Sequence, residues 1–460
     1  MNLSQFTSIV VDGSDCLLRL GYGFADARID NAQTLAFEFA DGECIRWHER
    51  HQVGSGIRVL RAGVFGFAAA EGPPAWRPQA RRAWQLAGAG ATPAPTLGGV
   101  LASVPALNAL ARVEPGEFEF PSAEEVQLLM KEARELFPDA RWLKLRGQFR
   151  RGWRGIISSE GTKAIKPVHA AVLGLSIGVA NGAGRTITLP LHAAGATGRL
   201  ATMIRNQFAS AKIIASQLAT AKSSPADQGD VLLSPQMAAL LVHEAFGHLC
   251  EADRFPPNRG KLAVLGTVVG STALNISDHT RFSAASGAES FDDEGVPCEP
   301  SPLVVEGRWE GLLHTRTTAA LSGHIPTGNA RVTSWTFQPL ARMRTTEIAA
   351  GGCDPKQMLG GIKDGVFLDR PYGGQIRGAR FRIQAATAWR IRNGQLAEPI
   401  ADRILTGDPL NILRQICGIG SDSQVVDGVG WCRRGAQGDL PVSMAAPTVL
   451  VREAETEPVA

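Results

Sequence analysis

Hydrophobic and polar positions change their period along this chain, and each period predicts a different element. Near the start they alternate. Ala36-Phe37-Glu38-Phe39-Ala40 and Ile57-Arg58-Val59-Leu60 put every second residue on one face, and the second run leads into Gly63-Val64-Phe65-Gly66-Phe67, so strands joined by tight turns are predicted, an antiparallel beginning. From Glu71 to Ala106 the chain is rich in Ala, Gly, Pro and Thr, with room for a short helix over Arg81 to Leu86 and a long loop over Gly88 to Gly99. Ser122-Ala123-Glu124-Glu125 forms a capping box that should start a helix ending near Phe137-Pro138. Trp142 to Phe149 alternates again and His169 to Val179 is dense in Val, Leu and Ile, which predicts a strand pair. The Ala-rich run from Thr197 to Lys222 reads as one long helix, with Met203, Phe208, Ile213, Ile214 and Leu218 spaced as a buried stripe.

The polar stretch from Ser223 to Asp230, carrying Pro and Gly, is the best linker candidate and divides the chain into residues 1–224 and 225–460. Directly after it Val231-Leu232-Leu233 reads as a short strand, and Ser234-Pro235 supplies a helix cap followed by proline at the first helical position. Met237, Leu240, Leu241 and Phe246 make that helix largely apolar and buried. Downstream, short β segments separated by Gly, Asp and Pro dominate: Leu262 to Val269, Leu303 to Trp309, Phe381 to Ile391 and Thr448 to Val451. The pattern gives an α+β chain of two domains, with antiparallel strands and helices in the first and a β-rich second carrying the apolar helix.

That helix contains His243-Glu244-Ala245-Phe246-Gly247-His248. Two imidazoles and a carboxylate in an apolar helix need partners, and together they suit metal-hydrolase chemistry: neutral imidazole binds zinc, and a neighbouring glutamate can take a proton from water that the cation acidifies. The spacing departs from H-E-x-x-H, whose histidines share one helical face at i and i+4. Five residues of ideal α-helix turn through about 500°, leaving the rings roughly 140° apart. Both reach one ion only if the helix is distorted by a π-bulge or a kink, with Gly247 a place for the backbone to yield. The competing reading of the motif alone is two unrelated core histidines, one hydrogen-bonded and one half exposed.

Composition narrows the setting. A chain of 460 residues, 44% hydrophobic and 20% charged, is ordinary for a soluble globular protein, and a net charge of +3 implies neither nucleic acid nor membrane as an obligatory partner. Met1 to Arg19 lacks a basic stretch ahead of an apolar run, and no uncharged apolar span of about 18 residues occurs, so neither a secretory signal nor a transmembrane helix is expected. Seven scattered cysteines suit free thiols in a reducing compartment, and a cytoplasmic location is expected. Cys250, Cys417 and Cys432 could each supply a third ligand, or each be a small buried apolar residue. His314 and His324 could approach the site or be structural. The basic, aromatic-interleaved run from Arg141 to Arg154 is the best nucleic-acid candidate, although its alternation also describes a half-buried strand or a subunit edge.

The residues resemble the TldD/PmbA metallopeptidases, once labelled modulators of DNA gyrase. Leu241 to Asp253 looks like the family's L-x-H-E-A-x-G-H-x-x-E-x-D signature. Phe291-Asp292-Asp293-Glu294-Gly295, Thr327-Gly328-Asn329-Ala330-Arg331, Arg342-Met343 and Gly373-Gly374-Gln375 follow in the family's order, and Gly56 to Ala68 is similar to its N-terminal pattern. The resemblance implies a TldD-like zinc metallopeptidase in which His243, His248 and Cys432 hold Zn2+ and Glu244 is the catalytic base. It also implies a dimer, with a PmbA-like (TldE) subunit or with itself. Two segments depart from the family pattern: Arg433-Arg434 follows the cysteine, and Arg344 replaces a residue in Arg342-Met343-Arg344-Thr345-Thr346, so an altered substrate pocket is expected. Glu251 and Asp253 are candidates to orient a ligand histidine, or a solvated helix end, and Arg331, Asn329 and Arg342 are candidate oxyanion donors. Three functions follow: a zinc peptidase acting on small or unfolded peptides, an amide hydrolase tailoring a small molecule, or a non-catalytic regulator binding protein or nucleic acid.

Overall fold

The alternating runs of the first half fold as antiparallel strands. In the computed structural model, which describes all residues except 90–100, 102, 111–118, 183, 196–198, 256–264, 282–288, 378 and 460, Phe24–Ala40 pairs with Glu43–Arg61 on one side and with Trp142–Ser158 on the other. An eight-stranded sheet runs in the order Val64–Glu71, Glu43–Arg61, Phe24–Ala40, Trp142–Ser158, Lys163–Pro167, Asn108–Leu110, and Ala170–Ala180 and Thr186–Gly195 extend it from Trp142–Ser158. Helices Leu3–Leu18 and Trp76–Ala89 bury Phe6, Val10, Leu17, Ala80 and Ala83 against Ala27, Ile29, Ile57 and Val59. The helix Ala123–Leu136 starts at the expected capping box, with the Ser122 and Glu125 side chains each accepting from the other's backbone N–H.

Several expectations are corrected. The run from Thr197 to Lys222 is two helices, Leu200–Arg205 and Phe208–Leu218. Gln207, at the break, donates its amide to the His192 and Met203 carbonyls and so ties the turn to the neighbouring strand. A break shifts helical phase, and two members of the expected stripe face out: Met203 is 38% exposed and Ile213 62%. Residues 90–100 of the expected long loop, and 262–264 of the expected strand Leu262 to Val269, lie outside the described residues. Leu265 to Val269 forms no strand, only a single bridge from Val268 to Arg308. Leu303 to Trp309 is the hairpin Ser301–Val305 and Arg308–Trp309, turned at Glu306-Gly307, both with positive φ. The linker narrows at its end, because Asp227–Leu233 is already a strand.

In the second half five strands close on themselves. Asp227–Leu233 lies between Asp364–Arg377, parallel, and Val449–Pro458, antiparallel; Arg403–Gly407 and Arg380–Arg392 complete the circuit back to Asp364–Arg377. Closure satisfies the edges that an open sheet would leave. A six-stranded sheet stands beside it, ending in Gln437–Ala446 and in Gln424–Arg434. The helix Pro235–Leu241 is buried between the two. Met237, Leu240, Leu241 and Phe246 share one core with Leu233, Leu368 and Phe381 of the ring and with Ile276, Leu303, Trp309 and Met444 of the sheet. No described helix is long and apolar enough to cross a membrane.

Candidate metal centre

The motif helix begins as its sequence prescribes. Ser234 Oγ accepts from Met237 N at 3.3 Å and Pro235 occupies the first turn. After Leu241 the α-helix widens into a π turn over Val242–Phe246 and then tightens to a 3₁₀ turn over Gly247–Cys250. The π turn bonds i to i+5, the spacing of the two histidines, and it brings their ring centroids to 5.1 Å. Gly247 is not where the backbone yields, since its own angles are ordinary right-handed helix. It is needed for space: a Cβ there would stand 2.1 Å from Met343 Sδ.

Cys432 reaches the same point from the strand Gln424–Arg434, with Sγ 3.8 Å from His248 Nε2 although 184 residues separate them. One ligand atom from each of His243, His248 and Cys432 lies within 4.8 Å of the others, and all three residues are buried. Glu244 stands at the edge, its Oε2 4.0 Å from His248 Nε2 and its side chain 15% exposed. Gly374 makes room for it, because a Cβ at that position would meet Glu244 Cγ at 2.6 Å. That role was not legible in the sequence, where Gly374 was only one of a matched Gly-Gly-Gln.

Glu251 is fully buried and its Oε2 sits 3.1 Å from His248 Nδ1, which leaves Nε2 to face the cluster. Arg254 and Arg434 hold that carboxylate from behind at 2.8 and 3.4 Å. Burial would raise the Glu251 pKa, but His248, then Arg434 and Arg254, bring it down to about 2. Asp253 touches neither histidine; it binds Arg434 at 2.6 Å and accepts from Ala341 N. Arg434 is therefore a supporting residue that sequence reading treated only as a departure.

The electrostatics suit a cation. Burial pushes the Cys432 thiol up, but hydrogen bonds from His243 and His248, with the charges of His248 and Arg342, outweigh it and hold it well below its ordinary value. For His248 burial pushes down, while Glu251 and Cys432 raise it to about 10. Such a proton is what a metal ion displaces on binding. His243 Nδ1 is buried and has no hydrogen-bond partner, an orphan that a satisfied core histidine would not leave. The donor set fits a divalent ion of borderline softness, and these three residues could hold it.

The other candidates fall elsewhere. Cys250 is buried, its thiol pushed well up by burial, and Cys417 is exposed, so the apolar-core reading holds for the first and fails for the second. Asn329 donates to Asp278 and to the Arg342 carbonyl, and Arg331 to the Met343 and Pro441 carbonyls. Arg342 donates to the Cys432 carbonyl. All three are at most 2% exposed and brace the site's loops, and Arg342 Nε and Nη1 and Arg331 Nε stay without a hydrogen-bond partner. Arg344 is fully buried against Asp278. His314 and His324 stack on each other at 5.1 Å, outside the cluster. The basic run is an internal strand whose Arg146, Arg150 and Arg154 pair with Glu38, Asp30 and Asp293 within the fold.

Comparisons with known proteins place this geometry. Residues 226–457 match the PmbA/TldA metallopeptidase C-terminal domain. A metalloprotease of Synechocystis is 39% identical over 225 residues, 48% of this chain and 48% of that protein, so the match spans about half of each. A metalloprotease of Methanothermobacter thermautotrophicus is 28% identical over 94% of both chains. The crystal structure of TldE from Thermococcus kodakarensis superimposes with a TM-score of 0.76 at 16% identity, covering 98% of this chain and 99% of that one, which extends the shared fold to the first half. With the domain match spanning the closed ring, the motif helix and the cysteine strand, the chain belongs to the PmbA/TldD metallopeptidase family.

Proposed function

We propose that this chain is a zinc-dependent peptidase that hydrolyses amide bonds of small or unfolded peptides, with His243, His248 and Cys432 as ligands and Glu244 as catalytic base. The observation that carries this reading is the convergence of three ligand atoms within 4.8 Å beside the partly exposed Glu244. Two imidazoles and a thiolate suit zinc and leave a position open for water or substrate. When bound, the ion supplies Lewis acidity, polarising the scissile carbonyl and lowering the pKa of water. Glu244 takes the proton of the attacking water and returns it to the leaving amine. Glu251, itself held by Arg254 and Arg434, keeps the His248 ring turned toward the cluster.

Residues 225–460 form the catalytic domain in this reading and residues 1–224 a second domain. The likeness to TldE supports an assembly with a PmbA-like (TldE) subunit or with a second copy. The tailoring of a small molecule gains nothing from Arg344, which is buried. The test is metal content together with cleavage of an unfolded protein and of short peptides. Zinc should be present in the wild type and lost in Cys432→Ala, while Glu244→Gln keeps zinc and loses about 10²–10⁴-fold in rate. Equal cleavage by wild type and Glu244→Gln would reject the base assignment, and full activity of the purified chain alone would remove the need for a second kind of subunit.

A further inference from the structure

Where the first half meets the catalytic half lies a cavity of mixed polar and apolar lining that the reading above does not use. It measures about 230 Å³ and is walled by His192 and Gln207 from one side and by Gln236, Arg370, Gln424 and Asp427 from the other. Its basic groups are not spent. Arg370 Nε and His192 Nε2 are both buried without a hydrogen-bond partner. Asp369 stays 4.0 Å from Arg370 Nε, beyond hydrogen-bond range, and Arg370 Nη2 reaches only a hydroxyl, Ser210 Oγ, at 3.3 Å. Asp427, the carboxylate among the lining residues, accepts from the Ser443 hydroxyl at 2.6 Å. Burial, then the charge of Arg370, push His192 down to about 4, so at neutral pH the guanidinium is the single cation of the pocket. Arg370 has φ +53°, a left-handed backbone that glycine would adopt without cost, so the chain keeps a guanidinium here against local strain.

Three elements of the metal centre lead into this cavity. Gln236 stands seven residues before His243 on the motif helix, roughly 10 Å at the helical rise. Arg370 stands four residues before Gly374, which packs on Glu244, roughly 10 to 13 Å along the strand, the lower figure allowing for the bulge between Pro371 and Gly373. Asp427 precedes Cys432 on the same strand. A separation of 10 to 13 Å is the length of about three to four extended residues. We propose that this pocket receives the C-terminal carboxylate of a peptide substrate through Arg370 and His192, so that cleavage falls three or four residues before the peptide's end.

The proposal rests on the peptidase reading, and a binding measurement separates the two. Intact Glu244→Gln protein is titrated by calorimetry with a seven-residue Ala-Gly peptide, once as the free acid and once as the C-terminal amide. The acid should bind about tenfold more tightly, the scale of one charge-assisted contact. Adding Arg370→Gly, which removes the guanidinium while relieving the backbone, should erase that preference; Gln236→Leu, which leaves that strand untouched, should narrow it. Equal affinity for acid and amide, or a preference that survives Arg370→Gly, overturns the pocket assignment. Inorganic phosphate binding as tightly as the peptide acid assigns the pocket to free anions and overturns it too. Wild-type protein should release C-terminal tri- or tetrapeptides from the acid. A binding preference without any cleavage would sink the peptidase reading and leave the carboxylate pocket standing, whereas cleavage of both peptides at matched affinity would do the reverse.

Discussion

Among the described residues, two buried groupings of titratable side chains differ in how completely they are paired. At the seam between the halves, the Phe291-Asp292-Asp293-Glu294-Gly295 segment inserts carboxylates among cations of the first sheet. Arg154 lies 2.6 Å from Asp30 and 2.9 Å from Asp293, Lys166 2.9 Å from Asp293, and Arg58 2.5 Å from Asp26 and 2.6 Å from Glu294. The Arg28 Nε–H donates to the Asp293 carbonyl. At the candidate metal centre, two imidazoles and a sulfur converge on one point; Glu251 holds the far side of the His248 ring, while His243 Nδ1 is buried without a hydrogen-bond partner. A balanced network holds parts together; ligand atoms that converge on one point and leave a buried nitrogen unpartnered could hold a cation. The contrast separates family-matched segments that serve architecture from the one that serves chemistry.

The comparison breaks first at the seam. Arg154→Met removes the cation shared by Asp30 and Asp293 and leaves two buried carboxylates short of a partner, a loss of about 3–5 kcal/mol in denaturant unfolding, with metal affinity per folded molecule unchanged. Metal loss at native stability would instead mean that the clusters are one unit. The same network sets an acid limit. Burial raises Asp26, Asp30 and Asp293, but Arg28 and Arg58 for the first, Arg154 for the second, and Arg154 and Lys166 for the third outweigh it and lower all three. Carboxylates lowered on folding contribute stability that is present above the unfolded value of about 4 and is lost as pH falls below it. Unfolding free energy measured from pH 6 to 2 should therefore fall steeply below about pH 4, and Arg154→Met should flatten that slope.

The metal centre should answer in the opposite way. Glu251→Gln keeps the shape but weakens the acceptor that turns His248, and a metal-competition titration should show affinity lower by about 10–100-fold with little change in unfolding. Unchanged affinity would reduce Glu251 to a simple ion-pair partner of Arg254 and Arg434. The smallest effect belongs to the cap: Ser234→Ala should cost about 1 kcal/mol in denaturant unfolding while leaving metal content intact, since the π turn lies beyond the first helical turn.

Local signals were read well where neighbours in sequence decide the outcome. Ser234-Pro235 and the Ser122 box start helices because their side chains satisfy donors two or three residues away. The five-residue spacing of His243 and His248 predicted a distorted helix, and the chain forms a π turn there. Signals that depended on distant contacts failed. Nothing local marks the break at Asn206-Gln207, which is tied to the His192 carbonyl, so the spacing predicts a buried stripe that Met203 and Ile213 do not join. No local signal shows that Arg344 is buried, because its partner Asp278 is 66 residues away.

By itself the sequence determined the elements whose hydrogen bonds are local, the alternating strands of the first half, and a helix that must widen to bring two imidazoles to one point. It also carried the resemblance that singled out Cys432. Tertiary structure decided which thiol stands there in space, because Cys250 is close in sequence but turned into the apolar core, whereas a sheet partner delivers Cys432 across 184 residues. It alone decided that Gly374 yields space to Glu244 and that Arg434 stands behind Glu251. Backbone preferences act over a few residues, and a site of this kind depends on side chains whose positions are set only once the ring and sheet close around the helix.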